Sequence, residues 1–182
     1  MSTMVGLAVD MQHGAPLDGA GFQLTSAENG VDFDFFGDNL PISIAWTAAG
    51  SSNVFLVRDL NGDHKITTGK ELFGNLTDQP PSDDRNGFRA LAEFDLDHDG
   101  WVDKREAENG RLQLWNDAKH SGVTDFGELQ NFRQTGIKRI SVRYREDRRV
   151  DQYGNLFRYE AAVDDSSNDH RVYDVILQYL TK

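Results

Sequence analysis

The stretch Phe94–Glu106 reads FDLDHDGWVDKRE. Five acidic residues crowd into it, and like charges at that density repel unless something cationic holds them together. Their spacing is regular. Counting Asp95 as position 1, oxygen-bearing side chains stand at 1, 3, 5, 9 and 12 (Asp95, Asp97, Asp99, Asp103, Glu106), with Gly100 at 6 and the β-branched Val102 at 8.

Calcium is a hard cation that takes six to eight oxygens, and an EF-hand loop supplies them at these offsets. The backbone carbonyl of Trp101, at position 7, completes the set, Glu106 is the bidentate closing ligand, and Gly100 permits the sharp turn. A solvated acidic turn held by Asx hydrogen bonds is the alternative, but it explains neither the closing glutamate nor the glycine.

A second loop, DLNGDHKITTGKE, begins at Asp59. Asp59, Asn61 and Asp63 occupy positions 1, 3 and 5, Lys65 offers its carbonyl at 7, Ile66 sits at 8, and Thr67 or its bound water serves 9. Here His64 replaces the glycine at 6, which is tolerable because histidine is enriched in the left-handed region. Glu71 stands one place late, at 13, so the exit of the loop must be reshaped for its carboxylate to reach an ion; a structural Asx turn is the alternative. Because Ile66 and Val102 share position 8, the two loops are expected to pair through a short antiparallel contact.

A third, weaker loop, DAKHSGVTDFGE, runs from Asp117, with Ser121 at 5, Gly122 at 6, Val123 offering a carbonyl at 7, Asp125 at 9 and Glu128 at 12. Lys119 at position 3 cannot ligate and would repel calcium if it pointed inward. The competing reading is a degenerate loop kept for its fold. The acidic segment at Asp34 lacks a ladder altogether and reads as a β-turn.

The whole chain has 182 residues, 38% of them apolar, with a net charge of −11. That is enough to fold, and the acidic balance argues against a nucleic-acid partner, which calls for a basic patch. The one basic run, Lys138–Arg149, alternates with apolar residues and reads as a solvated strand face. With no cysteine there is neither a disulfide framework nor a thiolate metal site. MSTMVGLAVD lacks a basic n-region and has too short an apolar run for a signal peptide, and no window has the length for membrane insertion.

Short aromatic and β-branched runs (VDFDFF, ISIAW, NVFLVR) suggest hairpins in the first third, and ISVRYRE, LFRYEAAV and RVYDVILQYL suggest β structure with a closing strand in the last. FRALAEF has a helical stripe leading into the Asp95 loop, KREAE begins an exiting helix that Asn109-Gly110 stops, and RLQLW alternates as a strand. The linker QPPSDD should be exposed. The expected fold is α+β: β-rich N- and C-terminal hairpins frame a central pair of EF-hand-like calcium loops with short helices. One compact unit, 1–182, would comprise a β-rich part (1–58), a calcium-binding part (59–134) and a second β-rich part (135–182).

On the residues LTSAENGVDFDF, ISIAWTAAGSSNVFLVRDLNGD, GKELFGN, GFRALAEFD, LWNDAKHSGVTDFGEL, GIKRIS and DQYGNLFRY, the chain resembles bacterial EF-hand-type calcium-binding proteins related to modules of exported repeat-toxin proteins. The resemblance runs from about Leu24 to Val163. It implies Asp59, Asn61, Asp63, Glu71, Asp95, Asp97, Asp99 and Glu106 as ligands and points to Asp117 and Glu128, whereas PLDGAGF lacks the acidic ladder of the family's early loop. It also implies a secreted or cell-surface location.

The expected function is a non-catalytic calcium-binding module, with two ions and a third at Asp117, whose folding and partner surface depend on the ion; the protein partner is unidentified. A rival is calcium-dependent self-processing or hydrolysis within a larger exported protein, since some relatives are similar to modules that cut an Asp-Pro bond. No Asp-Pro occurs in this chain, and no nucleophile and base are paired. The other rival is an adhesion or scaffold module stiffened by calcium, with Tyr153, Phe157 and Tyr159 as a contact patch or, alternatively, as ordinary hairpin aromatics.

Overall fold

The computed structural model describes residues 4–11, 22–165 and 170–180. In chain order its elements are β1 (Val5–Asp10), β2 (Val31–Phe33), β3 (Ile42–Ile44), β4 (Asn53–Arg58), α1 (Gly87–Ala92), β5 (Trp101–Asp103), α2 (Lys104–Gly110), β6 (Leu112–Trp115), β7 (Leu129–Gln130), α3 (Phe132–Thr135), β8 (Arg139–Ser141), β9 (Arg145–Val150), β10 (Leu156–Asp164) and β11 (Arg171–Ile176).

The run VGLAVD decides the architecture. All six of its residues are buried, which a strand achieves only when both faces of its sheet are covered. β1 accordingly lies in the interior of a nine-stranded sheet, ordered β5-β8-β10-β11-β1-β4-β6-β7 with β9 paired to β10. Its neighbours, β11 and β4, are both antiparallel to it.

Alternation along these strands sends successive side chains to opposite faces. Ala8, Phe55, Val57, Tyr173 and Val175 join Trp46, Trp115 and the β2–β3 hairpin in one core. Leu7, Val9, Val54, Leu56 and Val172 meet α1, α2 and Val102 in the other. Gly87 opens α1 directly against the sheet: a Cβ there would lie 2.4 Å from Leu7 Cγ.

The expected α+β frame is therefore wrong. The fold is mostly β, a curled antiparallel sheet with three short helices among the described residues, which do not form the helix-loop-helix arrangement of an EF-hand. The terminal segments do not frame the loops as hairpins; β1 and β11 pair with each other in the sheet interior. RVYDVI is thus an interior strand, with partners on both sides. ISVRYRE breaks into β8 and β9, and the two contact different stretches of β10. No helix follows the Asp59 loop. The chain there lies flat on the sheet, Phe73 and Leu56 sharing a backbone hydrogen bond of 3.0 Å, and a Cβ on Gly74 would fall 1.7 Å from the Val5 carbonyl oxygen.

Other expectations match. VDFDFF and ISIAW pair as β2–β3, NVFLVR and RLQLW are adjacent strands, and α2 ends at Gly110 with Arg111 as a left-handed cap. Pro80 and Pro81 are exposed. Asp34 accepts three amides, from Gly37, Asp38 and Asn39, as a turn residue does. Phe157 is buried in the core, whereas Tyr153 is exposed, so DQYGNLFRY is a hairpin with one buried aromatic face. In PLDGAGF, residues 16–21 lie outside the described residues.

Candidate metal centre

The three acidic loops are mounted on the sheet. The Asp59 loop leaves β4, the Asp95 loop follows α1 and runs through β5 into α2, and the Asp117 loop connects β6 to β7. Despite these different mounts they share one backbone shape. Positions 4 and 6 of each have positive φ: Gly62 (77°) and His64 (60°), His98 (59°) and Gly100 (92°), His120 (56°) and Gly122 (67°). Histidine substitutes for glycine in each loop once, consistent with its tolerance of this region.

Their first aspartates are all buried: Asp59, Asp95 and Asp117 are 6%, 6% and 1% exposed. Each folds its carboxylate back onto the loop amides. Asp59 accepts from Gly62 (2.7 Å) and His64 (2.9 Å). Asp95 accepts from Asp99 (3.1 Å) and Gly100 (2.9 Å), and Asp117 from Ser121 (2.9 Å) and Gly122 (2.7 Å). Further along, side chains at position 5 take the amide of position 7, from Lys65 onto Asp63, Trp101 onto Asp99 and Val123 onto Ser121. The amide of position 5 reaches the side chain of position 3 in the first two loops, onto Asn61 and Asp97. Lys119 removes that rung from the third.

Closing glutamates behave alike as well. Glu71 takes the amides of Leu60 (3.2 Å) and Thr67 (2.8 Å), and Glu106 those of Leu96 (2.7 Å) and Asp103 (3.0 Å). The extra residue before Glu71 is absorbed, since its carboxylate spans the same positions, 2 and 9, as that of Glu106. Glu128 takes the Asp125 amide at 2.9 Å. Asp103 also caps α2, accepting the Glu106 amide at 2.9 Å, so one capping box holds both residues in place.

These oxygens suit a hard cation. Asp95, Asp97 and Asp99 each bring one carboxylate oxygen to within 4.8 Å of the others. In the third loop Ser121 Oγ lies 3.0 Å from the Val123 carbonyl oxygen and 3.5 Å from Asp117 Oδ1. Glu128, 8% exposed, has an Oε1 atom buried without a hydrogen-bond partner among the described residues, a position that needs a donor or a cation. Lys119 turns its ammonium aside onto Asp125, 2.9 Å away; the hydrogen bond and charge of Asp125, and the charge of Glu128, raise its pKa.

The expected pairing of Ile66 with Val102 does not occur. Val102 pairs with Ile140 on β8, and the Ile66 amide donates to Thr124 Oγ1 at 2.9 Å. Position 8 of the first loop thus meets position 8 of the third. Sequence reasoning also missed the buried supports of that third loop: Trp46 Nε1 donates to Asp117 Oδ2 (2.9 Å) and Trp115 Nε1 to Glu128 Oε2 (3.4 Å). Nor was it evident that Arg143 donates to the Asp99 carbonyl oxygen at 3.0 Å while Arg139 stacks 4.3 Å from the Trp101 ring centroid.

The family described as the SPM domain matches residues 15–178, all three loops included. The chain belongs to the SPM domain family. This SPM domain is also similar to the iron-regulated protein FrpA of Neisseria meningitidis serogroup C, with 32% identity over 133 residues. The match takes in 71% of the chain but only 12% of that relative, so the SPM domain spans about an eighth of the length of the curated protein it matches.

Proposed function

We propose that this SPM domain is a non-catalytic calcium-binding module whose folding depends on the ion. The observation that carries the reading is the repeat of one loop geometry on three different mounts, each with a buried first aspartate and a buried closing glutamate. Asp59, Asn61, Asp63, the Lys65 carbonyl, Thr67 and Glu71 would hold one ion. Asp95, Asp97, Asp99, the Trp101 carbonyl, Asp103 and Glu106 would hold a second. In the third loop Asp117, Ser121, the Val123 carbonyl, Asp125 and Glu128 offer a weaker set. The ion supplies the charge that lets these carboxylates converge, so binding energy becomes folding energy.

Thermal unfolding tests this. A ligand at about 100 times its Kd adds about 2.7 kcal/mol per site, and two sites should raise Tm by roughly 10–20 °C for a chain of this size. Coincident melting curves in millimolar calcium and in chelator would refute the reading.

A second reading is favoured by the short share of the relative that the chain covers: a calcium-dependent self-processing module of a larger exported protein. It requires an Asp-Pro bond outside these 182 residues, since none lies within them. Placing Asp-Pro ahead of β1 and following fragment masses with and without calcium tests it, and an intact chain in both conditions would eliminate it.

A further inference from the structure

Beside the first loop, and reaching Phe94 just ahead of the second, lies a small cleft of about 230 Å³. Leu60, Leu76 and Phe94 give it an apolar side, with Phe73 buried beneath them, and Arg58 and Lys70 stand in its wall. The arginine is unusual. Its Nε is buried without a hydrogen-bond partner, and among the described residues its guanidinium forms no hydrogen bond or ion pair, resting only 5.3 Å from the Phe94 ring centroid. A guanidinium stays charged at any working pH and presents five donors in a planar fork that matches a carboxylate. Burying part of that fork unsatisfied costs stability unless a ligand completes it.

Two acidic residues also line the cleft, Glu71 and Asp78. Neither lies within ion-pair distance of Arg58 or Lys70 among the described residues. The Glu71 oxygens are committed to the amides of Leu60, Thr67 and Thr68. We infer that this cleft is a binding site for an apolar group carrying a carboxylate, with Arg58 gripping the carboxylate and the Leu60–Leu76–Phe94 surface taking the apolar part. Its size suits one aliphatic or aromatic side chain, below the usual range for drug-sized ligands. Such chemistry is offered by a polypeptide C-terminus ending in an apolar residue, or by a free small acid.

Regulation follows if the calcium reading above holds, because Glu71 is shared. An ion in the Asp59 loop would neutralise the Glu71 carboxylate in the cleft wall and leave the two cations less opposed, so calcium should strengthen carboxylate binding, and the reverse by the same factor.

The test is NMR titration of the whole chain, in calcium and in chelator, with N-acetyl-leucine, 4-methylpentanoate and N-acetyl-leucinamide. Saturable shifts of the Arg58 Nε–H and Leu60 resonances with the two acids, and at least about tenfold weaker binding of the amide, are expected. Tighter binding of N-acetyl-leucine than of 4-methylpentanoate identifies a chain terminus, and equal binding a free acid; both support the site. Arg58→Met keeps the apolar stem and should lower affinity about tenfold with an otherwise unchanged amide spectrum. Should that variant unfold, Lys70→Met, which removes the outer cation, is expected to lower affinity severalfold. Absence of saturable shifts with either acid, or equal binding of acid and amide, overturns the site. Calcium heats measured on the same sample separate the two ideas: carboxylate binding without calcium binding would leave the cleft standing and remove the calcium reading.

Discussion

The Ile66 amide donates to the Thr124 hydroxyl at 2.9 Å, and that hydroxyl lies 3.4 Å from the Ile66 carbonyl oxygen. A single side chain thus joins the Asp59 loop to the Asp117 loop. The Asp95 loop has a different tie, through Val102 to β8. The loops should therefore respond to calcium as one coupled pair and one independent site.

Thr124→Val keeps the side-chain shape and removes the hydroxyl. Loss of the hydrogen bond costs on the order of 1 kcal/mol, which should weaken calcium binding in the Asp59 loop several-fold and leave the Asp95 loop unchanged. An NMR titration following the His64 and Gly100 amides checks this, and parallel weakening of both would contradict the pairing.

Lys119, at position 3, turns its exposed ammonium onto Asp125, 2.9 Å away, and so occupies one of the third loop's carboxylates. Lys119→Asn restores an oxygen ligand at position 3 and removes a like charge near the ion. Affinity of the third loop should rise by on the order of tenfold, since 1.4 kcal/mol suffices and nearby charges interact at that scale. Equilibrium dialysis with radioactive calcium should register an added ion per chain.

Asp174 is fully buried on β11, where it accepts the Gly87 amide (2.8 Å) and faces Arg158 (3.3 Å). Burial raises its pKa to about 6, against the opposing pull of Arg158 and the Gly87 amide. The unfolded chain ionises near the ordinary aspartate value, about 3.9. Between those two values the folded state holds the extra proton, so this group's contribution to stability is full below about pH 4 and is lost as pH rises through about 6. Asp174→Asn should remove that decline, worth on the order of 2–3 kcal/mol, as read from denaturant midpoints at pH 4, 5, 6 and 7 in the presence of chelator. An unchanged pH slope would contradict it.

Loop conformation was legible because the residues that set it are local. Asp95, Gly100 and Glu106 stand at fixed separations, and the loop conformation follows from them. Glu71 illustrates the same point, since its extra residue was visible and the backbone simply absorbs it. The framework was not legible, because pairing β1 with β11 joins residues Val5 and Ile176, and no local pattern specifies which apolar strand finds which. VGLAVD drew notice only as a candidate leader, although a run buried on both faces marks the interior of a sheet. Helix patterns misled for a related reason. GFRALA and KREAENG do form helices, but at six and seven residues they depend on packing against the sheet and do not set the architecture. Trp46 and Trp115 carry no sequence signal as loop supports, because an indole N–H aimed at Asp117 or Glu128 depends on tertiary placement alone.

Calorimetric titration of chelator-stripped protein with calcium, run on the wild type and on Asp95→Ala, tests the central claim most directly. The wild type should bind at least two ions per chain, and Asp95→Ala should bind one fewer, with the substituted protein retaining its sheet by circular dichroism. An Asp95→Ala isotherm superimposable on that of the wild type, or no binding heat from either, would contradict the assignment of FDLDHDGWVDKRE as a calcium loop.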